Sequence, residues 1–259
     1  MNTPILVTGG TGTIGRHVVR MLREANRDVR VLTRHPRESA EGLQHVAGDT
    51  VKGIGLAAAL AGVETVLHLA GGAKGDDIAA RHLVDAAKQA GVRHLVLVSV
   101  IGADRMPIGY FRMKAAAENA FEGSGIPFTI LRVAQLHDFV LPIVRSMARM
   151  PLAPAPRGLR FEPVGVVEVA RRLTDIALDA PAGHVADLAG PEVLDIADLI
   201  ATFNESQGRR RRLLRFGLPG AIGRAYRSGD NLAGREAVRG DETWRHFLAA
   251  RERDSALTA

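Results

Sequence analysis

Eight residues, Thr8-Gly9-Gly10-Thr11-Gly12-Thr13-Ile14-Gly15, constrain the fold of this chain more than any other stretch. They follow a short apolar run, Ile5 to Thr8, and open a helical pattern, Ile14 to Ala25, with glycines at 9, 12 and 15. Glycine lets the backbone turn tightly and approach a ligand with no Cβ in the way, and the helix start offers unpaired N–H groups and a positive dipole end. A strand, turn and helix of this composition suit the pyrophosphate of a dinucleotide, with Gly9, Thr11, Gly12, Thr13, Ile14 and Gly15 as the expected contacts.

The rest of the first half fits such a fold. Apolar, leucine-rich or β-branched runs at 5–8, 29–33, 44–47, 65–69, 94–100 and 128–131 read as six strands, and helical patterns at 14–25, 55–61, 77–90 and 110–123 separate them. The expected fold class is α/β: a Rossmann-type doubly wound parallel sheet with helices on both faces. After Arg132 the alternation stops and Pro142, Pro151, Pro154, Pro156 and Pro163 punctuate the chain. Residues 1–132 are therefore expected to form the dinucleotide domain. Residues 133–259 would form a smaller substrate lobe interleaved with the last strands of one structural unit, its tail frayed from Arg251.

An NAD site would place Asp or Glu at the end of the second strand, for the ribose 2′-hydroxyl. Here the chain reads Val31-Leu32-Thr33-Arg34. A guanidinium suits a 2′-phosphate instead, so Arg34, with help from Arg37, points to NADP(H), the other reading being a surface arginine in an arginine-rich chain. Asp49, after the third strand, either accepts a hydrogen bond from adenine or caps a turn. Ala70, Gly71 and Gly72, after the fourth, allow close passage of the cofactor.

Tyr110 and Lys114 stand four residues apart at the start of a predicted helix, one turn apart on one face. A lysine there lowers the pKa of the phenol and also holds ribose hydroxyls. With only two tyrosines and four lysines in the chain, chance would give about 0.03 such pairs. The alternative is a solvated helix face.

Composition narrows the remaining classes. There is no cysteine, so thiolate, disulfide and cysteine-ligated metal chemistry are excluded and redox work needs a cofactor. The histidines show no metal-ligand spacing, and no metal is expected. The net charge of +6 has one dense basic run, Arg209 to Arg212, without interleaved aromatics, and reads as a solvated loop or strand edge rather than a nucleic-acid site. No uncharged apolar stretch approaches the roughly 18 residues that span a bilayer, and the first residues carry no targeting signature. The expectation is a cytoplasmic protein acting on a small molecule, with neither nucleic acid nor membrane as partner.

The stretches TGGTGTIG at 8–15, LVLVSVIGA at 95–103, YFRMK at 110–114 and FTILR at 128–132 together resemble the atypical short-chain dehydrogenase/reductase superfamily, specifically its NmrA-like NAD(P)H-binding branch, over most of the chain. The resemblance implies a tyrosine acting as general acid (Tyr110), a lysine that orients ribose (Lys114), and a hydroxyl near the end of the fifth strand that binds the substrate oxygen. Ser99 is the nearby serine, but Val100 stands where many relatives carry the second, working hydroxyl. Gln135 to Phe139 follow the sixth strand, where the family passes the nicotinamide; for His137 and Asp138 a helix cap is the preferred reading. Two functions follow: an NADP(H)-dependent reductase of a small apolar carbonyl, quinone or enone, or a cofactor-sensing regulator without turnover. A nucleotide-sugar epimerase or dehydratase ranks below both.

Overall fold

A computed structural model of the chain describes residues 3–35, 38–72 and 75–257, with side chains as far as residue 253. The elements begin β1 (Ile5–Thr8), α1 (Gly15–Glu24), β2 (Val29–Thr33), β3 (Leu43–Ala47), α2 (Leu56–Leu60), β4 (Thr65–His68), α3 (Asp76–Ala90), β5 (His94–Val100), α4 (Gly109–Glu122) and β6 (Phe128–Val133). They continue with α5 (His137–Ala148), β7 (Leu152–Arg157), β8 (Arg160–Phe161), α6 (Val166–Leu178), β9 (Gly183–His184), β10 (Leu188–Ala189) and β11 (Leu194–Asp195). The last are α7 (Ile196–Ser206), β12 (Arg212–Gly217), α8 (Gly220–Ser228), β13 (Val238–Arg239) and α9 (Trp244–Leu257). The six strands and four helices read from the first half are all present, with ends displaced by at most two residues.

The chain divides into two compact units. The first comprises Met1–Ser99, Gly109–Arg132 and Val167–Val185. Its strands lie in the order β6-β5-β4-β1-β2-β3, all parallel, with β9 also paired to β6. Every residue of β5 is buried, as a strand covered on both faces requires. Leu6, Val66, Leu95, Leu97 and Ile130 from the strands pack against Leu60, Leu83 and Phe121 from α2, α3 and α4. On α1, Val18, Val19 and Leu22 are buried while Arg16, Arg20 and Glu24 stay exposed, the stripe its 3.6-residue period dictates. Thr8 of β1 is level with Leu32 of β2 and His68 of β4, so the loops after these three strands leave from one edge of the sheet.

The second unit comprises Val100–Ile108, Val133–Val166 and Ala186–Ala259. Its core gathers Val140 and Val144 of α5, Ala153 of β7, Phe161 of β8, Leu199 and Phe203 of α7, and Trp244 and Phe247 of α9. The buried indole of Trp244 donates to the Leu199 carbonyl at 3.3 Å. Val133 pairs with Leu188 of β10, and β10 with β13. The expected fraying from Arg251 is not what is found: α9 stays helical to Leu257, and Arg251 ion-pairs with Asp138. Among the described residues no helix is long and apolar enough to cross a membrane.

Candidate active site

The loop between β1 and α1 is closed too tightly for side chains at its glycines. Gly9 has φ +70°, and a Cβ there would stand 2.6 Å from the Ala70 nitrogen. A Cβ on Gly15 would stand 2.1 Å from the Gly9 carbonyl oxygen, and the Gly12 N–H donates to that same oxygen at 2.9 Å. Thr11, Gly12 and Thr13 are exposed at the tip. No side chain caps α1, and its first turn carries no acid. Arg16 and His17 donate to the Gly12 and Ile14 carbonyls at 3.1 and 3.0 Å, so what the helix start offers an outside acceptor is its positive end and the N–H groups of Thr13 to Gly15, which suits a pyrophosphate.

The neighbouring loops meet this edge. The Thr8 hydroxyl accepts the Ala70 N–H at 3.3 Å and lies 2.7 Å from His68 Nδ1, fixing the exit of β4 beside the phosphate loop. Arg34 follows β2, is exposed, and forms no ion pair among the described residues. Arg37 lies outside the described residues. Asp49 makes the turn contact, its Oδ1 accepting the Lys52 N–H at 3.1 Å, which leaves Oδ2 for the adenine reading.

Helix α4 carries Tyr110 and Lys114. It is tied to the sheet by a fork of two hydrogen bonds from Arg132 of β6 to Glu118, at 2.9 and 2.6 Å. Lys114 is buried, at 6% exposure, which demands a partner for its charge. Its Nζ pairs with Asp76 Oδ2 at 2.9 Å and reaches the Val98 carbonyl at 3.5 Å. Asp76 in turn accepts the Gly72 N–H at 2.8 Å, and a Cβ on Gly71 would come within 3.1 Å of Nζ. The ammonium thus sits against the loop after β4, at the edge where a dinucleotide would pass.

Tyr110, one turn before it, is 39% exposed. Its phenol is pushed above the ordinary tyrosine value, chiefly by burial. Lys114 pulls the other way and Asp76 adds to the rise. Lys114 thus acts in the expected direction, but desolvation outweighs it and Asp76 adds to the rise, so the net shift is upward. His68 is pushed down to about 4 by burial first and Lys114 second, with Asp76 opposing, so its imidazole is neutral behind the site.

Asp76 escaped the sequence reading because Asp76 and Asp77 together look like ordinary acids at a helix start. The usable signal was Lys114 itself, a buried lysine in a chain that otherwise prefers arginine. Ser99 is 2% exposed, and its hydroxyl has no hydrogen-bond partner among the described residues. The preferred cap reading of His137 and Asp138 is not met. The N-cap of α5 is Leu136, with no side-chain bond; the His137 ring stacks on Phe247 at 4.9 Å and its Nε2 lies 2.9 Å from the Glu242 carbonyl. Among the described residues no group of three metal-ligating side chains occurs.

Residues 9–143, just over half of the chain, match the model of a family described as NAD(P)H-binding. An NAD(P)H azoreductase of Xenophilus azovorans is 31% identical over 219 residues, 79% of this chain and 74% of that protein. The fold matches triphenylmethane reductase of Citrobacter sp. at TM-score 0.80, with 19% identity, over 96% of this chain and 99% of that one. It also matches an NADPH-dependent quinone oxidoreductase of Escherichia coli in complex with NADPH at TM-score 0.75, with 20% identity, over 98% and 100%. The family match covers the phosphate loop described above: the chain belongs to the NAD(P)H-binding family whose model it matches.

Proposed function

We propose that this chain, an NAD(P)H-dependent oxidoreductase, uses NADPH to reduce a small apolar acceptor, a carbonyl, quinone or enone, with Tyr110 as proton donor. The observation that carries the reading is the placement of Lys114: buried, charged and held against Gly71 at the cofactor edge, one turn below a protonated, partly exposed phenol. The nicotinamide, when bound, supplies hydride. Thr11 to Gly15 and the start of α1 hold the pyrophosphate, Arg34 holds the 2′-phosphate, and Lys114 holds the ribose hydroxyls. The Tyr110 hydroxyl gives its proton to the acceptor oxygen as negative charge develops there. A phenol is protonated at neutral pH, the state needed for reduction, and burial raises its pKa further. A relative that is an NAD(P)H azoreductase supports reduction by a nicotinamide as the reaction type.

The burial of the Ser99 hydroxyl favours a second reading, a sensor that binds the cofactor without turnover. One experiment separates them: titration with NADPH and NADH, then oxidation of bound NADPH against quinones, enones and azo compounds. NADPH binding that weakens about 10- to 100-fold in Arg34→Ala while NADH binding does not change, followed by acceptor-dependent oxidation, is expected. Equal loss for both cofactors would remove Arg34 from the 2′-phosphate. Binding with no oxidation by any acceptor would leave the sensor.

A further inference from the structure

Between Gln207 and Gly229 the chain carries seven arginines and no acidic residue, more positive charge than its entire net +6. Arg209, Arg210, Arg211, Arg212 and Arg215 are all exposed, and none forms an ion pair among the described residues. The segment folds as β12 and α8 within the second unit. Strand β12 pairs in parallel with β7, Arg212 level with Leu152 and Leu214 with Pro154. The period of two divides its side chains. Leu213 packs against the core of the unit and Arg215 lies on its side of the strand, while Arg212, at the end of the run 209–212, shares the other face with Leu214 and Phe216. There Leu214 is 47% exposed, Phe216 39% and Leu152, across the ribbon, 45%. Ile222 on α8 is 44% exposed.

We propose that this face docks on an anionic lipid bilayer. Guanidinium groups bind lipid phosphates in forked pairs, and large apolar side chains set among them enter the boundary between headgroups and acyl chains. A merely solvated basic strand does not need Leu152, Leu214 and Phe216 on its open face. A nucleic acid would use the arginines and leave the aliphatic side chains without a partner. A second copy of the chain would bring two unbalanced positive surfaces together. The inference requires neither cofactor nor turnover, so it stands or falls apart from the reductase reading.

The test is flotation of the full chain with sealed vesicles of phosphatidylcholine alone, or of phosphatidylcholine with phosphatidylglycerol, at low and moderate salt. The wild-type chain should float only with the anionic vesicles, and less as salt rises. Replacing all four of Arg209→Ser, Arg210→Ser, Arg211→Ser and Arg212→Ser should cut the bound fraction's partition by about tenfold or more, whereas four Arg→Lys changes should largely keep it. The pair Leu214→Ser and Phe216→Ser should lose the salt-resistant part of binding. Phe216→Trp gives a direct optical readout, since the chain's one tryptophan, Trp244, is buried. Its emission should move to the blue on anionic vesicles. NADPH affinity and melting temperature of each variant check the fold. The proposal is overturned by wild-type flotation that the serine variants leave unchanged, by equal binding to neutral vesicles, or by an emission spectrum that the vesicles do not move. It is also overturned by salt-sensitive binding to duplex DNA with no vesicle binding.

Discussion

Lys114 is held by one carboxylate, one carbonyl and the missing side chain of Gly71, and each is a separate handle on the site. Removing one partner of a buried pair costs more than removing both, because the survivor keeps its charge in a poorly solvating place. Asp76→Asn alone should therefore lower stability by about 3–5 kcal/mol, and adding Lys114→Met should recover much of that loss in denaturant unfolding. A double variant no more stable than the single one would show that the pair is not what holds this corner. Tyr110→Phe should leave NADPH affinity within about threefold and cut turnover by about 10²- to 10⁴-fold, the range for loss of a general acid. Unchanged steady-state turnover would remove the phenol from the reaction. Tyr110 and Lys114 were legible in sequence because their types are rare here and their spacing is local. Asp76 was not, because its partner lies 38 residues away on another helix and no local pattern records that distance.

At the scale of elements, the phosphate loop is the part where sequence and geometry coincide. Its glycines are expected to allow a tight turn and close approach to the pyrophosphate, and the tight turn is present: at Gly15 even one added carbon would overlap the Gly9 carbonyl. Gly15→Ala should push the turn open and weaken NADPH binding by about tenfold or more with the fold retained, as followed by nicotinamide fluorescence. Wild-type affinity in that variant would mean that the loop does not seat the pyrophosphate. Helix α4 shows the opposite balance. Its amphipathic pattern was readable, but the Arg132 to Glu118 fork that fixes its position on β6 joins residues on separate elements. His137 shows how tertiary packing overrides a local motif: a polar residue at a helix start became a stacked core ring because Trp244 and Phe247 of α9 cover it.

For the whole molecule, buried histidines make stability depend on pH. His68 has a folded pKa of about 4, below its unfolded value of 6.5, so the unfolded chain binds the extra proton between the two. The associated stabilisation is complete above pH 6.5 and is lost as pH falls toward 4, by about 3 kcal/mol. His94, lowered in the same direction by burial, adds to it. Urea unfolding at pH 7 and pH 4.5 should show this loss, and His68→Asn should reduce it; equal slopes for the two proteins would assign the effect elsewhere. The sequence by itself determined the α/β class, the order of strands and helices through Arg132, the phosphate loop and the Tyr110 to Lys114 spacing. All of these rest on periodicity and on contacts between near neighbours, which the chain writes locally. The tertiary structure alone decided that Lys114 is neutralised by Asp76, that burial raises the Tyr110 pKa despite Lys114, that Ser99 is buried, and that Arg212 of the arginine run shares a strand face with exposed Leu214 and Phe216. Those outcomes depend on which distant segments are packed together and how far each charge is removed from water, and neither quantity has a local signature.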